Sequence, residues 1–491
     1  MRARPDSVDK ICYHSSEGAK NYGESFVTAL LLILVLGIST TFWTCVGVGR
    51  IADSQRRSRK ERKRRRESNH RATVESRRRS EEPDRVGALW PPPPRRNPGN
   101  AVRPPGVAVL VAAHNEELVI AETISAASHL VNVENIHIIS DGSKDRTAEV
   151  ARAAGANVLE LNPNRGKAGA LAAGIEHFKL CDRYKVVLLL DADTHLAPDY
   201  LSTGLPLFND PDVVAVAGRA KTLDDRASPS RFGRFLVAYR ERLYLIVQLL
   251  IKFGQAAKWS NAVTIVPGFA SMYRTDALRQ IDVVGAGLVI EDFNMTFEVH
   301  AKKLGRVEFH PSAAIAYTQD PDNFGEYTRQ VKRWILGFWQ TVRRHRIQRS
   351  VFGVSLVVFI FELLTSSLMF VFLIPALLVS MAAGLLQGVI PDPGGWLIWL
   401  ADLMQPQYVL VGVLVPDYLL TIMAACVLRQ PRYLLLGLAF PLMRIVDAAL
   451  CLRVLPKAWS AKSSGVWVSP TRRAIPSEGG ELAAVGGGRA A

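Results

Sequence analysis

Polar and apolar positions divide the chain into membrane-like and soluble blocks. Phe26–Val48 is a run of 23 residues without a charge, and at 1.5 Å per residue a helix of that length covers a hydrocarbon core of about 30 Å. From Gly106 to about Arg349 the pattern changes to short apolar strands alternating with amphipathic stretches. Val107–Val111, Asn135–Ile139 and Lys185–Leu190 read as strands, and Glu117–Leu130 and Asp145–Ala154 read as helices. Lys185–Leu190 is apolar on both faces, as at the centre of a parallel sheet. The expectation is an α/β, doubly wound, Rossmann-like sheet whose ligands sit at the strand carboxyl ends. Long apolar runs then return at Val351–Leu386, Tyr408–Leu428 and Tyr433–Leu455. The first is long for one span and is expected to be a tilted helix or a helix plus a re-entrant piece.

The organisation is therefore an N-terminal segment (1–25), a signal anchor (26–48), a basic, Pro-rich linker (49–105), an α/β domain (106–349), about three transmembrane helices (351–455) and a tail (456–491). Phe26–Val48 lacks the short apolar core and small-residue cleavage site of a signal peptide. Ser80–Pro105, with four consecutive prolines from Pro91, reads as an extended linker.

Composition sharpens this picture. The chain has 491 residues, 48% apolar, and a net charge of +15, which excludes a chain disordered throughout. Arg50–Arg79 carries 14 Lys/Arg against 4 acidic residues, so most of the excess is local. Its place directly after an apolar run favours stop-transfer and attraction to anionic membrane lipid over nucleic acid as partner, and puts the α/β domain in the cytoplasm. Five scattered cysteines without a CxxC pair argue against a disulfide framework or a zinc site.

The polar residues ending each strand carry the candidate chemistry. His114-Asn115-Glu116 follow the first strand, and Asp141-Gly142-Ser143-Lys144-Asp145 follow the second. Asp191 and Asp193 follow the third. Two carboxylates at i and i+2 on an extended segment point to one side and suit a hard divalent cation, although an isolated DxD is as often a surface turn. Arg165 and Lys167, on a Gly-rich turn before a helix, suit a diphosphate, or else form a solvated loop. Asp141 suits a nucleoside base or ribose, or an Asx turn. Glu291-Asp292 opens a helix, where acids also serve the dipole. Gln330, Arg333 and Trp334 lie at i, i+3 and i+4 on one helical face, able to grip a diphosphate and stack on a sugar; Trp334, Phe338 and Trp339 also suit an interfacial belt. Val266–Ser271, just before the ED helix, is where acceptor contacts are expected. Glu362, Asp417, Arg444 and Asp447 fall in apolar runs, at a cost of at least about 2.5 kcal/mol each. Arg444 and Asp447 are spaced to pair on one helix, or the group faces a polar path.

Taken in order, HNE, DGSKD, RGKAGAL, DAD, ED and QxxRW resemble the membrane-integrated family 2 glycosyltransferases of GT-A fold, the group of hyaluronan, chitin, cellulose and poly-N-acetylglucosamine synthases. The resemblance covers about Pro105–Arg349. It implies inverting transfer from a UDP-sugar to a growing β-linked polysaccharide, with Mg²⁺ or Mn²⁺ on Asp191 and Asp193 and Asp292 as general base. Glu116, Asp141, Arg165, Lys167, Asp191, Gln330, Arg333 and Trp334 would then contact substrate. Two positions depart from the pattern: Ile290 stands where Thr often precedes the acidic pair, and a single Asp precedes Gly142. Two other readings stay open. One is a non-processive enzyme adding one sugar to a lipid acceptor; the other is a non-catalytic tether that holds anionic lipid or nucleic acid through Arg50–Arg79. About four spans are few for an export channel, which keeps a homo-oligomer open as well.

Overall fold

The computed structural model describes residues 37–72, 106–223, 230–391, 394–403 and 405–461. The first element is a single helix, α1 (Ile38–Ala72). It carries the end of the expected anchor straight into the basic block; Phe26–Leu36, the Ser80–Pro105 linker and the tail beyond Ala461 lie outside the described residues. Helix α1 is docked, not free. Trp43 is buried and stacks on Trp259 at 6.2 Å between centroids. Arg50 reaches the Phe253 carbonyl and pairs with Glu308 at 3.0 Å.

From Val107 strands and helices alternate: β1 (Val107–Ala113), α2 (Ile120–Ser128), β2 (Ile136–Asp141), α3 (Thr147–Ala153), β3 (Asn157–Leu161), α4 (Gly166–His177), β4 (Val186–Asp191). β5 (His195–Leu196), β6 (Val213–Ala217), β7 (Arg219–Thr222), α5 (Arg231–Ile246), β8 (Ala270–Arg274), α6 (Glu291–Ala301), β9 (Arg306–Glu308), β10 (Ile315–Thr318) and α7 (Phe324–Arg344) follow. Seven strands form one sheet in the order β3-β2-β1-β4-β8-β6-β9, and β5-β10-β7 form a second. The three strands expected from sequence are β1, β2 and β4. β3 was not expected, and the sheet is not wholly parallel. β3, β2, β1 and β4 run parallel, whereas β8 runs antiparallel to both β4 and β6. β4 is central and buried on both faces, as its apolar run demands.

The two faces of the main sheet are covered separately. Val109, Val111 and Leu188 pack under α2; Leu110, Leu189 and Tyr273 face α4 and α6. Because β1, β2 and β4 are parallel, their carboxyl ends lie side by side, with Ala112 opposite Asp191 and Ala113 opposite Ser140. That edge holds the site.

Among the described residues three helices are long and apolar enough to cross a membrane: α8 (Val351–Val389), α9 (Leu410–Leu428) and α10 (Arg432–Val454). α8 has 39 residues with Pro375 inside and no break. It is one helix of about 58 Å, close to twice a hydrocarbon core; the short helix Gly395–Leu403 that follows is a separate piece.

Candidate functional site

At the carboxyl end of β4, Lys167 stands between two acids. Its Nζ is 2.6 Å from Asp191 Oδ1 and 2.9 Å from Glu291 Oε1. These groups come from α4, β4 and α6, so a lysine on the Gly-rich turn joins carboxylates 100 residues apart in sequence. Gly268 closes the cluster. Its carbonyl lies 3.5 Å from Lys167 Nζ, and its N–H donates to Asp292 Oδ2 at 3.4 Å. A Cβ at Gly268 would sit 3.0 Å from Glu291 Oε1 and 3.1 Å from Lys167 Nζ. Both side-chain ends would have to give by a few tenths of an ångström to admit it. The segment expected to contact acceptor, Val266–Ser271, is thus part of the site's wall, held by Phe269 O accepting from Asp191 N at 2.9 Å. Gly268 lies within that expected segment, but its contacts to Lys167 and Asp292 were not foreseen, because one glycine in a loop carries no signal of what approaches it.

The charges bias one another. Burial pushes the Lys167 ammonium down, but Asp191 and Glu291 outweigh it and hold its pKa above the usual range. Burial likewise pushes Glu291 up, and Lys167, aided by Arg333, overcomes it and holds that carboxyl below its ordinary value. Asp191 is raised by burial, against Lys167 and with Asp193. Asp292 is raised to about 6 by burial and by the Glu291 charge beside it. It accepts from its neighbour Phe293 N at 2.8 Å. Two adjacent carboxyls therefore differ sharply: Glu291 stays ionised, and Asp292 takes up its proton at about pH 6. Such splitting is how acid–base roles are divided.

The other expected residues lie around this cluster. Asp141 is fully buried at the end of β2; its Oδ1 accepts from Arg165 N at 2.7 Å, and its Oδ2 has no partner among the described residues. Burial raises its pKa against the Arg165 and Gly166 N–H groups. The Arg165 side chain is exposed while its backbone is locked to Asp141. Glu116 is buried at the end of β1, its N–H donating to Thr147 Oγ1 at 2.8 Å. Asp193 is buried just past β4. On α7, Arg333 is exposed and felt by Glu291, and Gln330 Oε1 is buried without a partner among the described residues. Trp334 lies under the Arg240 guanidinium, 4.7 Å from its ring centre. α7 reaches the cluster because Gly337 packs on Ile290, the residue before Glu291; a Cβ there would lie 2.8 Å from the Ile290 side chain. Phe338 and Trp339 do not form an exposed belt. Both are buried with Phe352 and Leu356 at the start of α8.

A divalent cation fits this donor set. Asp191, Asp193, Glu291 and Asp292 outnumber Lys167 and Arg333, so a diphosphate entering here needs added positive charge. Two carboxylates at the end of β4 suit a cation that takes its remaining ligands from phosphate and water. Among the described residues no cluster of three or more His, Cys, Asp or Glu is arranged to hold a metal by protein alone.

Glu362, Asp417, Arg444 and Asp447, within the membrane-like helices, are each bound to protein. Arg444 does not pair with Asp447. It pairs with Asp417 at 2.9 Å, and Arg242 pairs with the same carboxylate at 2.8 Å. Asp447 accepts from Tyr327 at 2.6 Å and Tyr239 at 2.8 Å. Glu362 accepts from Ser39 N at 2.6 Å, at the start of α1. Mutual neutralisation between helices accounts for these groups better than a polar path does.

The family model for glycosyl transferase family group 2 matches residues 186–436, more than half of the chain and spanning β4, α6 and α7. The chain belongs to this family. Among curated glycosyltransferases of similar sequence are the poly-β-1,6-N-acetyl-D-glucosamine synthases of Staphylococcus epidermidis, 27% identical over 277 residues, and of Staphylococcus aureus strain COL, 28% identical over 247 residues. The matches cover 53% and 49% of this chain. The chain spans 61% and 56% of the length of those relatives. Among solved structures, a mannosyltransferase from Pyrobaculum calidifontis, in complex with GDP-Man and Mn²⁺, aligns at 17% identity with a TM-score of 0.43. That alignment covers 73% of this chain and 91% of the mannosyltransferase.

Proposed function

We propose that the protein is a membrane-embedded, inverting glycosyltransferase that moves a sugar from UDP-N-acetylglucosamine or UDP-glucose onto a growing β-linked polysaccharide at the cytoplasmic face. The observation that carries this reading is the junction of Lys167, Asp191, Glu291 and Gly268 beside a raised Asp292. A membrane tether needs no such convergence. The sugar of the synthase relatives motivates the first donor; the second shares all the same chemistry at the site.

Asp292 is the general base. With a carboxyl near 6 it is ionised at pH 7, yet more basic than an ordinary aspartate, and takes the acceptor hydroxyl's proton as that oxygen attacks. Glu291, held ionised by Lys167, is the poorer base and serves to fix the lysine. As the sugar–phosphate bond breaks, negative charge grows on the diphosphate, and Lys167 and Arg333 offset it. A divalent cation on Asp191 and Asp193 supplies Lewis-acid stabilisation of the same charge when bound. Attack from the side opposite the leaving group inverts the anomeric carbon. Asp141 takes the nucleoside, with Glu116 and Arg165 supporting the turn around it. Gln330 Oε1 accepts from a sugar hydroxyl, and Trp334 offers the stacking face.

α8, α9 and α10 cross the membrane in this reading, and the basic block after the anchor keeps the α/β domain on the cytoplasmic side. The test is a UDP-sugar panel on purified full-length protein with Mn²⁺ or Mg²⁺, reading UDP release and product length. UDP release with one donor and a ladder of products supports the proposal. A single-sugar product redirects it to a non-processive enzyme, and no UDP release with any donor refutes it.

A further inference from the structure

Asp447 sits on α10, one of the apolar helices, and both of its oxygens are taken by tyrosine hydroxyls. Tyr327 donates to Oδ1 at 2.6 Å and Tyr239 to Oδ2 at 2.8 Å. Tyr327 is in the first turn of α7 and is buried. Gln330, Val331 and Trp334 follow it at i+3, i+4 and i+7, so one face of one helix carries both the anchored tyrosine and the site residues. Tyr239 leads to the same place by a second route. Its neighbour Arg240 lies over the Trp334 ring at 4.7 Å and pairs with Asp320 at 2.8 Å. Asp320 in turn accepts from Thr222 Oγ1 at 2.8 Å and Tyr244 OH at 3.2 Å. The tyrosine rings pack edge to face at 6.5 Å, and Tyr239 lies 5.5 Å from Phe440 at the start of the α-helical part of α10.

We infer that Asp447 is a positioning residue for sugar transfer: it fixes the height and rotation of α7, and through it Gln330 and Trp334, relative to the membrane helices. The physical reason is geometric. A helix is stiff over two turns, so a buried hydrogen bond at Tyr327 sets where residues one and two turns later lie. The Arg240–Asp320 pair sets the other side of Trp334. An error of about 1 Å at a positioned group can cost on the order of 10²-fold in rate. The inference rests on the glycosyltransferase reading for its activity consequence. It also departs from a polar-path role for Asp447, because its two oxygens are spent on protein.

The experiment compares full-length wild type with Asp447→Leu, Asp447→Asn and Tyr327→Phe, reconstituted in the same lipid. Asn retains both contacts, its oxygen accepting from one tyrosine and its NH₂ donating to the other. Three readouts are taken: sugar turnover, UDP affinity by calorimetry, and hydrogen exchange across residues 324–344. The expected result is turnover down by about 10- to 10²-fold in Asp447→Leu and Tyr327→Phe, near wild type in Asp447→Asn, and UDP affinity within about twofold of wild type throughout. Exchange should rise in the first turns of α7. In a Trp334→Ala background the Asp447→Leu loss should largely vanish, which a general loss of stability would not produce. Asp447→Asn as impaired as Asp447→Leu would overturn the inference in favour of a charge-dependent role. So would losses that simply add to that of Trp334→Ala. Wild type silent with every donor removes the glycosyltransferase reading alone. Exchange then decides the positioning claim, and unchanged protection of α7 in Asp447→Leu overturns it.

Discussion

Replacing Asp292 by Asn separates what this residue does for chemistry from what it costs the fold. Its carboxyl is raised from the ordinary 3.8 to about 6, first by burial and then by the Glu291 charge. A folded-state pKa above the unfolded one means that the folded protein holds the proton more tightly. The ionised form is therefore a burden, absent below about 4 and complete above about 6. The difference corresponds to about 3 kcal/mol at pH 7.5. Asn escapes that burden, and the hydrogen bonds from Phe293 N and Gly268 N to the carboxylate are already counted in the raised value. Asp292→Asn should thus be more stable by about 3 kcal/mol at pH 7.5 and close to wild type at pH 4. Transfer should fall by about 10²–10⁴-fold while UDP binding stays intact. In wild type the rate should climb as pH rises through about 6 and level off above it. Thermal unfolding at the two pH values and UDP release from pH 5 to 8 provide the measurements. A variant with more than a tenth of wild-type turnover, or a wild-type rate flat through pH 5–7, would refute the base assignment; an Asn variant less stable at pH 7.5 would refute the electrostatic account.

Three further outcomes follow from named contacts. Lys167→Met leaves Asp191 and Glu291 facing each other without their ammonium; a loss of about 3–5 kcal/mol is expected, partly recovered by adding Glu291→Gln, as read by chemical unfolding. Asp417→Leu strands Arg242 and Arg444, and an equally large loss, about 3–5 kcal/mol, should appear as aggregation on size exclusion, whereas intact, active protein defective only in export would contradict it. At Gly254 a Cβ would lie 2.1 Å from the Trp43 carbonyl, so Gly254→Ala should push α1 off the domain at a cost of about 1–3 kcal/mol and speed tryptic cleavage between Arg50 and Arg66.

Much of the fold was legible because it rests on strong local patterns. VVLLL had to be a buried strand, and β4 is the centre of the sheet. β3 was not legible: Asn157–Leu161 is a half-exposed edge strand with a mixed pattern between Gly155 and Pro163. The small sheet of β5, β7 and β10 has strands of two to four residues, too short for periodicity to register. The antiparallel β8 was hidden as well, since strand direction is a property of the chain's return path. For the site, motif spacing brought out Asp191, Glu291, Asp292 and Arg333 but not their partners. That Lys167 bridges two acids, or that Asp417 draws a cation from α5 and another from α10, depends on packing between segments far apart in sequence. The Arg444–Asp447 pairing failed for the same reason: i+3 spacing permits a contact, and better partners across the bundle took both residues.

The central claim is that these groups surround a nucleotide-sugar. Electron cryomicroscopy of the full-length protein with UDP and Mn²⁺ tests it most directly. The account expects a diphosphate lodged among Asp191, Asp193, Lys167 and Arg333, with the uridine toward Asp141 and Asp292 facing the open side. A nucleotide bound elsewhere, or an unaltered Lys167–Asp191–Glu291 cluster at saturating UDP and Mn²⁺, would contradict it.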